Sequence, residues 1–318
     1  MPHVLRALLV ALLASAPLAH AELATADQAG AGDRPNVLLV LVEALRFDQF
    51  DRELAGQPIM PNLQALAKRG LHFESAWVTE SWTKPSVVSF LTGLYPSVHR
   101  VRFSELFKPD NPLTEDPTVA VDTLPGSLPT LTGVLKKAGY RTGMIQTNTN
   151  LQPRWGFEAH YDYARYPFRA DAVDATDDAL AFMQDSGEPF FLYLHYFDPH
   201  DPYAPTTAPE PMRRRPAGVS RAVEQLIKES HVQLTLDLAY LRLGLRTERQ
   251  TPVLRPNARA YARQLYDAET FEADRELGRL LAWVDANAPN TIVVVAGDHG
   301  EEFWEHGAVN HGQTAFSE

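Results

Sequence analysis

Four short apolar runs, separated by helical patterns, constrain the fold of this chain more than any other feature. They are Asn36 to Val42 (NVLLVLV), Arg141 to Gln146 (RTGMIQ), Phe190 to Tyr196 (FFLYLHY) and Thr291 to Ala296 (TIVVVA). Continuous runs of this length fit strands buried on both faces, the environment of a parallel sheet. Between them, Pro61 to Arg69 opens on Pro and is stopped by Gly70, as helix ends require. Leu128 to Ala138 and Ala170 to Met183 carry spaced apolar positions, and Ala258 to Ala286 is long and amphipathic. Alternating strand and helix predicts an α/β fold with a mostly parallel sheet. With 45% of 318 residues hydrophobic, the chain can fill one large core or two modest ones. Tyr203 to Pro216 reads as a surface loop, and Arg221 to Leu245 looks helical.

The sequence also limits the chemistry. There is no cysteine, which removes disulfides, thiolate metal sites and thiol nucleophiles. The net charge is −11, from 29 basic and 40 acidic residues, and no basic stripe runs through the chain, so a nucleic-acid partner is not expected. The one basic run, Arg213-Arg214-Arg215, reads as a solvated loop or as a handle for an anion. Arg6, the apolar stretch Ala7 to Ala14 and the Ala19-His20-Ala21 cleavage pattern make residues 1–21 a signal peptide. Residues 22–33 follow as a linker. A secreted or periplasmic location, with no membrane span after signal cleavage, is the expectation.

Each apolar run ends in residues able to do chemistry: Glu43, Asn148, Asp198-Pro199-His200 and Asp298-His299-Gly300. Ligands of an open α/β sheet bind beyond the carboxyl ends of its strands, so these termini should share one edge. Asp298 and His299 are both common ligands of divalent metals, and Glu43 could add a second carboxylate. After Ser81-Trp82-Thr83-Lys84, Pro85 followed by Val87 to Leu91 and ending at Thr92-Gly93 reads as a helix with Pro in its first turn and Gly past its end. Thr83 then lies at or just before the N-terminus, where the backbone favours an anion. It is either an ordinary cap or, beside a metal, a nucleophile. His200 and His311 are candidates to bind ester oxygens or protonate a leaving group; His195 and His306 rank below them.

In this order the motifs resemble the sulfatase family of the alkaline-phosphatase superfamily. The resemblance runs from Arg34-Pro35-Asn36-Val37, through Thr83-Lys84-Pro85-Ser86 to Thr92-Gly93-Leu94-Tyr95-Pro96, to Asp198-Pro199-His200 and Gly297-Asp298-His299-Gly300-Glu301. It implies an alkaline-phosphatase-like, mostly parallel sheet flanked by helices, with residues 34–318 as the catalytic domain. It also implies hydrolysis of sulfuric or phosphoric esters. Formylglycine sulfatases make that group from Cys or Ser in a motif ending in Arg; here Thr83 and Val87 occupy those places, so no formylglycine is expected. Glu, Thr, Asp and His together resemble the single-metal set of phosphoethanolamine transferases and lipoteichoic acid synthases. By that likeness Glu43, Thr83, Asp298 and His299 bind one divalent ion (Mn, Zn, Ca or Mg), and Thr83 forms the covalent intermediate. His200 and His311 then contact the substrate's anionic group, and Lys84 compensates for the missing Arg.

The expected substrate is a small-molecule, glycan or lipid sulfate or phosphate ester. A phospho-headgroup transferase and a non-catalytic anion-binding remnant are the alternatives. One ion is expected, although Asp198, His200 and His311 are suited to holding another. Relatives usually continue past the position of Glu318 into another strand and a small antiparallel subdomain. The expectation is that this subdomain is absent, because the fold is trimmed or the sequence is a fragment.

Overall fold

A computed structural model describes residues 34–102, 122–187, 189–229, 256–306 and 309–312. The signal-peptide and linker segments, the part of Arg221 to Leu245 after Glu229, and the chain end at Glu318 lie outside the described residues.

The four apolar runs form strands β1 (Asn36–Val42), β2 (Arg141–Gln146), β4 (Phe190–Tyr196) and β5 (Thr291–Gly297), joined by a short β3 (Tyr163–Arg165). All pairings in this sheet are parallel, in the order β3-β2-β4-β1-β5. The main helices are α1 (Pro61–Lys68), α2 (Thr83–Thr92), α3 (Leu131–Lys137), α4 (Ala172–Ser186), α5 (Arg221–Glu229) and α6 (Pro256–Asn287). This is the expected mostly parallel α/β sheet flanked by helices.

Side chains of a strand alternate between faces, and each central strand therefore feeds two cores. Leu38, Val40 and Val42 of β1 join Leu192 and Leu194 of β4 against Ala179 and Phe182 of α4 and Leu277 and Leu280 of α6. Leu39 and Leu41 join Phe191 and Tyr193 against Val87, Val88 and Leu91 of α2. The second core seats α2 across the carboxyl edge of β1. Side-chain acceptors hold the N-termini of α3 and α1, one from within the chain segment and one from a distant helix. Thr130 accepts the Gly133 N–H of α3 at 3.0 Å, and Asp274 of α6 accepts the N–H groups of Asn62 and Leu63 in α1, each at 2.9 Å.

Two expectations need correction. The last apolar run is an edge strand: Val293 and Val295 pack inward, whereas Ile292 and Val294 are 37% and 41% exposed. Among the described residues nothing pairs with its outer side. The stretch from Tyr203 to Pro216 is more than a surface loop, because Tyr203, Ala208 and Met212 are buried. Buried acids of α6 pull it in: Glu269 accepts the Ala204 N–H at 2.5 Å, and Glu272 accepts those of Thr207 and Ala208. The basic run on this stretch is engaged locally, Arg214 with Glu210 at 2.6 Å and Arg215 with Glu224 at 3.1 Å.

Candidate metal centre at the carboxyl edge of the sheet

The parallel sheet brings the ends of β1 and β5 side by side, with Val42 paired to Gly297. Glu43 continues the β1 ladder, its N–H donating to the Tyr196 carbonyl at 3.1 Å. Ala44 then turns the chain at φ 54°, a left-handed conformation that a non-glycine residue holds only when its surroundings fix it. Two contacts do so. The Ala44 N–H donates to Asp298 Oδ1 at 3.0 Å, and its carbonyl accepts the Tyr266 hydroxyl at 2.8 Å.

Asp298 Oδ1 also accepts the His299 N–H at 2.9 Å, so one carboxylate oxygen is committed to the backbone while Oδ2 faces the site. His299 Nδ1 lies 2.8 Å from the Gly300 carbonyl. A carbonyl can only accept, so Nδ1 carries the proton and the Nε2 lone pair points inward. Gly297 is required here, since a Cβ on it would lie 2.7 Å from the Leu45 backbone oxygen. Gly297→Ala must therefore shift the strand end or the Ala44 turn. The expected result is a stability loss of about 1–3 kcal/mol by urea unfolding, with weaker metal binding by titration calorimetry.

Thr83 opens α2 and is buried. Its hydroxyl donates to Glu43 Oε1 at 2.9 Å and lies 3.3 Å from His299 Nε2. Glu43, Asp298 and His299 each offer a ligand atom, all within 4.8 Å of one another. Thus the structure gathers Glu43, Thr83, Asp298 and His299, four residues the sequence singled out. Asn148, flagged only as a strand end, joins them: its amide donates to Glu43 Oε1 and lies 3.5 Å from Thr83 Oγ1.

The donor set fits a divalent cation. Glu43 Oε2 and Asp298 Oδ2 are buried with no hydrogen-bond partner. Burial, and then the charge of Asp298, push the Glu43 carboxyl well above the usual range. Two buried acids facing each other are strained without a positive charge between them, and carboxylate, hydroxyl and imidazole are the donors such an ion takes.

His200 and His311 flank the centre. His200 Nδ1 lies 2.6 Å from the Asp201 carbonyl, which leaves Nε2 3.6 Å from Glu43 Oε1. The His311 ring centroid is 4.9 Å from that of His200 and 4.3 Å from that of His299. Its Nδ1 sits 3.3 Å from Glu301, a buried acid quoted in the sequence motif but given no role there. Lys84 is also buried; its ammonium donates to the Asp122 carbonyl and lies 5.2 Å from the Trp155 ring centroid.

His306 is surface-exposed on the turn after Phe303. His195, which the sequence ranked low, lies fully buried under the centre.

Asp198 is turned away from the cluster. Its Oδ2 accepts the Ala172 N–H at the start of α4, at 2.7 Å, which does not favour a second ion shared with His200 and His311. Burial raises its carboxyl to about 7. An acid raised on folding stabilises the protein while protonated. That contribution is full below the unfolded value near 4 and is lost as pH climbs towards 7, by up to roughly 4 kcal/mol. Relative to Asp198→Asn, the wild type should lose stability across this window in urea titrations run with chelator.

A family model described as Sulfatase matches residues 35–317. The chain belongs to the sulfatase family. This sulfatase-family chain is 26% identical to the multifunctional alkaline phosphatase superfamily protein PehA of Trinickia caryophylli, over 86% of this chain and 64% of that protein. It is 24% identical to human iduronate 2-sulfatase, over 86% and 56%. It therefore spans about three-fifths of the length of these relatives. Among solved structures, phosphonate monoester hydrolase of Agrobacterium radiobacter superposes with a TM-score of 0.60 at 18% identity, covering 89% of this chain and 66% of that one. Among the described residues no helix is long and apolar enough to cross a membrane.

Proposed function

We propose that this chain is a metal-dependent hydrolase of sulfuric or phosphoric esters that works through a covalent intermediate on Thr83. The observation that carries the reading is the position of the Thr83 hydroxyl. It lies at a helix N-terminus, bonded to Glu43 and beside the inward-facing nitrogen of His299.

A divalent ion held by Glu43, Thr83, Asp298 and His299 would lower the pKa of the hydroxyl and neutralise charge on the ester. The other steps belong to the chain. The start of α2 offers first-turn N–H groups and a positive dipole end to the anionic ester. Glu43 Oε1 accepts the Thr83 proton, and Asn148 holds that carboxylate in place. The Thr83 oxygen forms a bond to sulfur or phosphorus as the bond to the leaving alcohol breaks. His200, acting as an imidazolium that carries protons on both ring nitrogens, gives the departing oxygen its Nε2 proton and is left neutral. His311, held by Glu301, contacts the non-bridging oxygens, and Lys84 adds positive charge to the first turn of α2. Water, giving a proton back to His200, then attacks the sulfur or phosphorus; the bond to the Thr83 oxygen breaks, and Glu43 returns the proton to the Thr83 hydroxyl. Positioning and electrostatic stabilisation supply most of the rate enhancement.

The substrate class is tested with a panel of aryl sulfates, phosphomonoesters and phosphodiesters against Mn, Zn, Ca and Mg. Metal-dependent release of alcohol from at least one class supports the reading, and no turnover with any ion contradicts it. Product analysis with an acceptor alcohol separates hydrolysis from transfer. The same reading makes residues 1–21 a cleaved export signal, checked by the N-terminal sequence of the mature protein.

A further inference from the structure

We propose that His195 is a second nitrogen ligand of the same cation, so that the centre is built on two imidazoles. This inference rests on the metal-centre reading above and deepens it.

The argument begins with three buried atoms that lack a hydrogen-bond partner: Glu43 Oε2, Asp298 Oδ2 and His195 Nε2. His195 Nε2 lies 3.8 Å from each of the two oxygens. That separation is too long for a hydrogen bond. It does suit neighbouring ligands of one ion: with metal–ligand bonds of about 2.1 Å, ligands at angles of about 90–130° stand roughly 3.0–3.8 Å apart. The donor atoms then form a chain around a common centre. Thr83 Oγ1 is 3.3 Å from His299 Nε2, which is 3.5 Å from Asp298 Oδ2. From Asp298 the chain passes through His195 to Glu43, whose other oxygen returns to Thr83 at 2.9 Å.

The backbone explains how His195 reaches this place. It pairs with Leu41 across β1 and β4, two residues before Glu43 and on the same face of the sheet. It interrupts an otherwise apolar strand core, with no exposure to solvent. Burying an unpartnered ring nitrogen there is unfavourable, and a bond to a cation removes that cost. The opposite nitrogen is already held, with Nδ1 2.8 Å from the Tyr193 hydroxyl. A metal-ligating histidine commonly uses its second nitrogen in such a bond; here Nδ1–H would donate to the tyrosine oxygen and leave the Nε2 lone pair for the ion. Two imidazoles shift the preference of the centre towards Zn, Mn or Co and away from Ca and Mg.

The test uses the whole protein, stripped with chelator and reloaded with Mn(II), and counts coordinated imidazole nitrogens by pulsed electron paramagnetic resonance. Two are expected in the wild type, and one in His195→Gln. Zinc affinity should fall at least about 10-fold in that variant, while calcium affinity changes little. One nitrogen in the wild type overturns the proposal, and that spectrum does not depend on any variant folding. Unchanged zinc affinity in a folded His195→Gln also overturns it. Failure of the wild type to bind any ion contradicts the metal centre itself, which is a different result from one-nitrogen binding.

Discussion

Thr83→Ala should abolish ester cleavage and leave the fold in place. The substitution removes one buried oxygen and a methyl group from the first turn of α2, and the backbone there needs neither. Glu43 keeps its bond from Asn148, so the carboxylate stays oriented. Without the hydroxyl no covalent ester can form, and only water held near the centre can attack. Loss of a nucleophile from an intact site lowers kcat by at least about 10⁴-fold, equivalent to roughly 5.5 kcal/mol. Thr83→Ser keeps the oxygen and should retain measurable turnover. Initial rates on whichever aryl ester the wild type cleaves give the comparison. Rapid quenching and intact-protein mass spectrometry of the wild type should show one added sulfuryl or phosphoryl group, missing in Thr83→Ala. Full activity in Thr83→Ala would mean that another group, or water directly, attacks the ester.

Asp298→Asn should be as severe by another route. The aspartate has two duties: Oδ1 clamps the Ala44 and His299 amides, and Oδ2 faces the centre. An asparagine can keep the clamp with its carbonyl, but it puts an NH₂ donor where a ligand oxygen stood. Metal affinity should fall at least about 100-fold, with ester cleavage lost in parallel, as read by metal analysis and by rates at fixed free metal. The metal-free protein should respond in the opposite direction. Glu43 is raised by burial and by the Asp298 charge, and an acid raised in the folded state favours folding while protonated. Metal-free wild type therefore loses stability as pH rises through that raised value. With the Asp298 charge gone the rise is smaller, so metal-free Asp298→Asn should decline less steeply with pH in urea titrations. A variant that binds metal like the wild type would remove Asp298 from the centre.

The sheet was legible because its central strands are buried on both faces and leave unbroken apolar runs. Their polar ends pointed to Glu43, Asn148, His200 and Asp298, which the parallel register then gathers along one edge. Thr83 was legible through helix punctuation, with Pro85 inside the first turn and Gly93 in the left-handed cap position. Other features left weaker marks. β3 has three residues, none of them buried, so no apolar run announces it. His195 sits inside a strand, and an argument from strand ends passes over it. The alternation in FFLYLHY does place it on the face of Tyr193 and Phe191, which was the available signal. Glu301 acts by holding His311, a pairing across ten residues that no periodicity records. Asp198 shows the reverse case. A carboxylate at a strand end read as chemistry, yet its oxygen serves the start of α4.

The central claim is that Glu43, Thr83, Asp298 and His299, drawn from distant parts of the chain, bind one cation together. Anomalous diffraction at a metal absorption edge, from crystals of the protein loaded with Mn or Zn, tests it most directly. The account predicts a single strong peak within bonding distance of all four side chains. A metal-loaded crystal with no peak there, or with its ion held by other residues, would contradict it.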